Sequence, residues 1–211
     1  MGVNSTFERK GKELASFDLD YQAGAGFRYD DVNDVELSRT KNRRETLERL
    51  SYGDVDELNA FAFFNAEFKK GNWNINPSLH LDYFKFDYNN KLSPVYDNRS
   101  ENKVAVSPKL NVIYTPSTTF QYFLKTGVGF HSNDTRVVVA NEGEDILPAA
   151  YGIDIGTIIK PASRLVVNAA LWSLFLDQEF VYVGDAGIVE PSGRSRRVGV
   201  ELGARYQFND W

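Results

Sequence analysis

The sequence predicts an all-β protein. The expected architecture is an antiparallel transmembrane β-barrel of about eight up-and-down strands, partial or small, filling residues 1–211 as one domain. Three observations carry this expectation. Apolar and polar side chains alternate with a period of two in eight segments, as in a strand with two unlike faces. Short and long connections between those segments also alternate. Aromatic residues gather near the ends of the apolar stripes.

The first segment is ASFDLDYQAGAGFRYD, residues 15–30. Its odd positions, Ala15 to Tyr29, are all apolar, and its even positions, Ser16 to Asp30, are all polar or glycine. Seven more segments repeat the pattern: Leu58–Phe68, Trp73–Tyr83, Val104–Tyr114, Phe120–Phe130, Tyr151–Ile159, one starting at Leu165, and Val198–Phe208. In the segment from Leu165 both faces are more apolar. Short links are KKGN (69–72), TPSTT (115–119) and KPASR (160–164). Long polar links are 31–56, 89–101, about 132–148 and 183–193. Short turns at one end and long loops at the other are the habit of outer-membrane barrels.

Phe17 and Tyr29, Trp73 and Tyr83, Phe120 and Phe130, and Tyr206 and Phe208 suit the headgroup level as aromatic girdles. On this reading the apolar stripes meet lipid and the charged stripes face an enclosed lumen. A charge on the lipid side costs roughly 2–4 kcal/mol at mid-bilayer. The alternative is a soluble barrel or sandwich with its apolar face inside. Gly24, Gly26, Gly127, Gly129, Gly199 and Gly203 lie on the polar face. There they relieve crowding on a concave wall but have no role on a face turned to water.

Composition narrows the function classes. Hydrophobic residues make 42%, charged residues 25% and aromatics 14%, an ordered, strand-favouring composition. The net charge of −5 argues against a nucleic-acid partner. With no cysteine there is no disulfide or thiolate-held metal, and no cofactor is expected. No run of about eighteen apolar residues predicts a membrane helix; that test is blind to strands, in which every second residue faces lipid. MGVNSTFERKGKE lacks the apolar core of a secretory signal, so either the export signal is not in this chain or the protein is not exported. MGVNST also fits the loose N-myristoylation pattern.

Several runs resemble the barrel of TonB-dependent outer-membrane receptors: NRRETLERLSYGDVDELNAFAFFNAEF, INPSLHLDYFKFDY, SPKLNVIYTPS, FLKTGVGFHSNDTR, LPAAYGIDIGTIIKP and FVYVGDAGIVEPSGRSRRVGVELGARYQF. The resemblance covers nearly the whole chain. It implies a bacterial outer-membrane receptor that takes up a scarce nutrient, such as an iron–siderophore complex, and not an enzyme. Such receptors have about twenty-two strands around a plug, and nothing here resembles the plug or the TonB-contacting box. A TonB partner is therefore expected only through a plug domain not present in this chain. The expectation is an internal portion of a receptor barrel, or a shortened gene product. The alternative is a small eight-stranded structural barrel without a transport role, closed by pairing of Ala15–Asp30 with Val198–Phe208. The final ELGARYQF also resembles a barrel-assembly signal.

Candidate sites follow from the loops. The first loop carries Arg39, Lys41, Arg43, Arg44 and Arg49 among acids. Arg43 and Arg44, with His131, Asp134 and Arg136 on the third loop, are the candidate contacts for an extracellular small-molecule ligand. The bland reading is a solvated loop with weak ion pairs. Arg194 and Arg196 in SGRSRR are candidates for lipopolysaccharide phosphate at the outer rim. Asp30, Asp31 and Asp34 lack the spacing of a calcium loop. His80 reads as a lumen hydrogen-bonder. His131, Ser132 and Asp134 are neighbours along a loop, where a catalytic triad needs convergence in space. No phosphate loop, zinc-helix motif or nucleophile elbow occurs.

Overall fold

The alternation is realised as long strands running up and down. The computed structural model describes every residue except 15, 132–134, 136–138, 140–146, 184–187, 192 and 210–211, with 180–183 and 188–191 described by backbone only. The strands are β1 (Gly2–Leu14), β2 (Phe17–Lys41), β3 (Glu45–Lys70), β4 (Trp73–Asn90), β5 (Asn98–Tyr114), β6 (Phe120–Phe130), β7 (Ala149–Ala162), β8 (Leu165–Leu176), β9 (Phe180–Val183), β10 (Ile188–Pro191) and β11 (Ser195–Tyr206).

Nine strands form one antiparallel sheet in the order β1-β2-β3-β4-β5-β6-β7-β8-β11, and β9 and β10 form a separate hairpin. Two expectations are corrected here. The sheet has nine strands, not eight, because β1 is itself a strand; its face of Val3, Ser5, Phe7 and Arg9 is too mixed to announce itself. The proposed pairing of Ala15–Asp30 with Val198–Phe208 does not occur. β2 holds β1 on one side and β3 on the other, so β1 and β11 stand as the two edges of an open sheet.

The long loops are also shorter than the sequence suggests. Residues 31–56 are mostly strand: β2 runs on to Lys41 and β3 starts at Glu45. Asn42 and Arg43 join them with φ of 53° and 56°, the two left-handed residues that a type I′ hairpin turn requires. Arg44 N–H donates to Lys41 C=O at 3.1 Å. Residues 183–193 include the second strand of the small hairpin.

Register keeps the two faces separate across the whole sheet. Tyr21 opposes Ala66, Phe64 opposes Leu79, Leu81 opposes Val106, Ile153 opposes Ser173 and Val200 opposes Leu171 on one face. Gln22 opposes Asn65, His80 opposes Ser107, Asn111 opposes Lys125 and Asn168 opposes Gly203 on the other. The apolar face is the bare one. Val106 is 53% exposed and Leu202 76%, while Asp82 on the polar face is only 8% exposed. A soluble barrel would show the opposite. On the apolar face only Leu19 and Ala66 are buried among the described residues.

Aromatic pairs mark both ends of the apolar band. At the short-turn end, Trp73 lies 4.5 Å from Tyr114 and Tyr206 lies 4.9 Å from Phe208, between ring centroids. At the other end, Tyr151 and Phe175 are 6.1 Å apart. The ten residue steps from Trp73 to Tyr83 span about 33 Å along β4 at ~3.3 Å per residue. With a strand tilt of about 40° that is a height of ~25 Å, the thickness of a barrel's apolar band. Just above Tyr83 on the same face, Lys85 and Asp87 form an ion pair at 2.8 Å, so charge resumes where lipid would end. Phe130 departs from its expected place in the girdle. Its ring packs on Phe84 at 5.7 Å, edge to face, as part of an inner cluster.

The inner wall is smoothed by rings lying on glycines of the adjacent strand. A Cβ at Gly24 would meet the Phe63 ring at 2.5 Å, and one at Gly199 would meet the Trp172 ring at 2.5 Å. Gly199→Ala is therefore expected to cost about 1–3 kcal/mol through overpacking. The same change in a Trp172→Ala background is expected to be nearly neutral. Urea unfolding of the vesicle-folded protein, followed by circular dichroism, measures both. Equal costs in the two backgrounds would show that the ring is not what excludes the side chain.

Candidate functional site

Three features of the inner face and its outer rim carry polar or recognition chemistry. The first is a ladder low in the lumen. Lys69 Nζ bridges Asp20 at 3.0 Å and Glu67 at 2.9 Å, and Asn74 Nδ2 donates to Glu67 at 2.6 Å. Asn76 donates to Asn65 at 2.8 Å and accepts from Asn111 at 3.2 Å. Asn59 Nδ2 donates to Asp82 at 3.2 Å, with His80 Nε2 at 3.5 Å from the same carboxylate. His80 is thus a wall residue beside Phe61 and Phe63. Further along, Lys109 and Lys125 border a shallow hollow of about 360 Å³ with Gly127, Gly129 and Gly152 in its lining.

The second feature is an aromatic ledge near the loop end. Phe84, Phe86 and Tyr88 alternate on the inner face of β4 and are buried, Phe86 completely. Val139 and Leu147, from the connection between β6 and β7, pack on them, with Val55, Ala105 and Phe130 at the margin. Thr135 Oγ1 lies 3.4 Å from Glu57 Oε2. Thr135, Val139 and Leu147 of this connection are therefore held against the inner wall. The sequence does carry a signal for the ledge: the apolar residues of β4 switch from odd positions, ending at Tyr83, to even positions from Phe84.

The third is a charged knot tying β2, β3 and the end of β4 above the apolar band. Lys91 Nζ contacts Asp34 at 2.8 Å and Asp54 at 2.5 Å. Tyr52 OH donates to Asp34 at 2.7 Å, and Asp34 N–H donates to Asp54 at 3.0 Å. Asp34 has φ of 58°, which aims its N–H at Asp54. Lys91 N–H also donates to Tyr52 C=O at 2.9 Å. The Lys91 ammonium, then the Tyr52 hydroxyl, holds the Asp34 carboxyl below its usual range. Lys91, then the Asp34 N–H, does the same for Asp54. The two carboxylates raise Lys91 well above an ordinary lysine. These partners are 57 and 37 residues apart in sequence, so no local pattern announces them.

The predicted site residues are scattered. Arg43 and Arg44 are exposed at the tip of the β2–β3 hairpin. His131 follows β6, exposed, with its N–H on Pro148 C=O at 3.3 Å. Through the register of β4, β5 and β6, His131 lies near the level of Ala60. The hairpin tip is fifteen residue steps further along β3, roughly 50 Å at about 3.3 Å per residue. These two groups are not brought together. Asp134 and Arg136 lie outside the described residues, as does Ser132. Arg194 is exposed just before β11, and Arg196 is exposed opposite Phe175, on the lipid face. Its neighbours Ser195 and Arg197 turn inward to Glu179, each at 2.5 Å.

Comparison with known proteins now bears on this architecture. The family described as "TonB dependent receptor-like, beta-barrel" matches residues 3–211. The chain belongs to the TonB-dependent receptor β-barrel family. Members of this family are outer-membrane proteins. No curated protein matches the sequence. Among solved structures, the ferric citrate transporter FecA aligns over 97% of this chain and 31% of its own, at 17% identity and a TM-score of 0.74. The ferric yersiniabactin uptake receptor FyuA from Yersinia pestis aligns over 99% of this chain and 32% of its own, at 12% identity and a TM-score of 0.70. The ferric-catecholate import receptor Fiu from E. coli gives 99%, 35%, 15% and 0.68 in the same order. The chain spans about a third of the length of these structures, so it corresponds to one arc of such a barrel.

The knot has a defined pH window. Asp34 and Asp54 have depressed values, so their contribution is present above about pH 4 and is lost as pH falls through the folded values. Lys91 has a raised value, so its contribution is present below about pH 10 and is lost as pH rises through its folded value. Amide exchange at Lys91, whose N–H bonds Tyr52, is expected to accelerate on acidification below about pH 4 beyond the intrinsic change. Lys91→Met is expected to abolish that extra dependence. An unchanged profile in the variant would remove the knot as its cause.

Proposed function

We propose that this chain is part of an outer-membrane receptor that takes up a scarce nutrient, such as an iron–siderophore complex, across the bacterial outer membrane. The observation that carries the reading is the family match along residues 3–211, joined to an apolar band facing outward between two aromatic girdles. The named relatives import or transport ferric complexes. The barrel supplies a wall and outer loops. Energy coupling through TonB would need a plug domain, and the family match over residues 3–211 is to the barrel.

The ligand-contact reading divides into two places: Arg43 and Arg44 at the hairpin tip, and His131, with Asp134 and Arg136, on the connection after β6. Arg43 has the strongest physical support. Its φ of 56° is left-handed, a conformation that costs a non-glycine residue about 1–2 kcal/mol. An arginine standing where glycine would be less strained is a motive for function. Its guanidinium stands at the far tip of an extended hairpin, suited to first capture of an anionic chelate. Arg194 and Arg196 support a separate role. They stand at the outer rim beside the Tyr151–Phe175 pair, where lipopolysaccharide phosphates would meet them.

Arg43→Gly separates fold from function. The turn is expected to hold or gain about 0.5–1 kcal/mol. Binding of an anionic ferric catecholate is expected to fall about tenfold, the loss of one charge-assisted contact. Tryptophan-fluorescence titration of the protein in detergent micelles reads the binding. Unchanged affinity would remove Arg43 from the ligand site, and no binding of any ferric chelate would remove the uptake reading.

A further inference from the structure

The lipid-facing wall carries a cavity that the uptake reading does not use. At the short-turn end, Leu14, Phe17, Phe68, Ile75 and Pro77 from four adjacent strands line an open hollow of about 410 Å³ with a wholly apolar lining. That volume lies within the roughly 300–1,000 Å³ of ordinary ligand sites. Phe17 and Phe68 meet edge to face at 6.2 Å, forming one wall. The short turns of an outer-membrane barrel are periplasmic, so the cavity opens at the inner leaflet of that membrane.

Three cations share that face, and one of them, Lys70, touches the cavity wall. Lys70 Nζ lies 4.9 Å from the centre of the Phe17 ring, which lines the cavity. Lys12 opposes Leu19 and Arg9 opposes Tyr21, both outward-facing partners. The outward setting of Lys12 follows from a bulge between Arg9 and Lys12, with Gly11 at φ of 70°. Without that extra residue Lys12 would turn inward, to the face of Asp20. Among the described residues no carboxylate pairs with Arg9, Lys12 or Lys70. Unpaired positive charge at the edge of a membrane band, beside an apolar slot, is complementary to an acidic headgroup with an acyl tail.

From this arrangement we infer that the cavity holds one acyl chain of an anionic phospholipid, with its phosphate on Lys70 and Lys12 and with Arg9 reinforcing the charge. The inference rests on the outward face meeting lipid. Titrating the detergent-folded chain with phosphatidylglycerol or phosphatidylethanolamine, and counting retained lipids by native mass spectrometry, tests it. One phosphatidylglycerol is expected to survive where phosphatidylethanolamine is lost. Lys70→Ser and Lys12→Ser are each expected to weaken retention about fivefold. Ile75→Trp, which fills the slot, is expected to reduce retention of both lipids alike. Equal retention of the two lipids by the parent chain, or parent-like retention by the double lysine variant, overturns the site. A chain that does not enter vesicles at all fails the membrane reading first, and the site with it.

Discussion

The constraint behind this structure is that a backbone in hydrocarbon finds no water for its N–H and C=O groups. Each strand must satisfy them on its neighbours, and the unbroken ladder from β1 through β8 to β11 does so for every interior strand. Once the backbone is committed this way, side chains have only two directions. One is lipid, which takes Leu79, Val106 and Leu202; the other is the lumen, which takes Asn76, Asp82 and Lys109. By the same constraint, β1 and β11 are the two places in the sheet where backbone groups lack a strand partner.

The inner wall solves a second problem, that of fitting side chains on a concave surface. Phe63 lies on Gly24, Phe61 on Gly26, Phe123 on Gly156 and Trp172 on Gly199. In each case a ring from one strand occupies the space that a side chain on the next would need. The glycines give up strand propensity, and the rings recover contact area while lying close to the wall. The polar ladder of Asn65, Asn76 and Asn111 crosses three strands with hydrogen bonds, so the lumen face is satisfied without charge burial at those positions.

Above the apolar band the physics changes. β2 and β3 extend past Tyr29 and Leu58 into water, where no lipid orders them. There the chain relies on side-chain chemistry: the Lys91 knot, the Arg49 contacts to Glu36 at 3.2 Å and to the Tyr52 ring at 4.9 Å, and the buried ledge of Phe84, Phe86 and Tyr88. Exposed ion pairs are individually weak and salt-screened. The ledge, by contrast, removes apolar surface from water. The two together hold loop-end segments in place without a core beneath them.

The sequence by itself determined the strand class, the two faces and the family. A period of two maintained through long segments admits few other structures, and lipid selects its outward side chains one by one. It did not determine strand ends. Val32, Val35 and Leu37 read as loop because solvated strands carry charge on both faces and lose the alternation. β1 was missed for a similar reason: Arg9 and Lys12 interrupt its apolar stripe. Only tertiary structure decided that β2 pairs with β1 and not with β11, since antiparallel partners at an open edge are set by which strand lies alongside. It also decided the fate of Phe130, which left the girdle for the inner ledge. The knot, too, depends on three strands arriving at one height. Such choices are made by distant neighbours, and a single strand's pattern records only its own two faces.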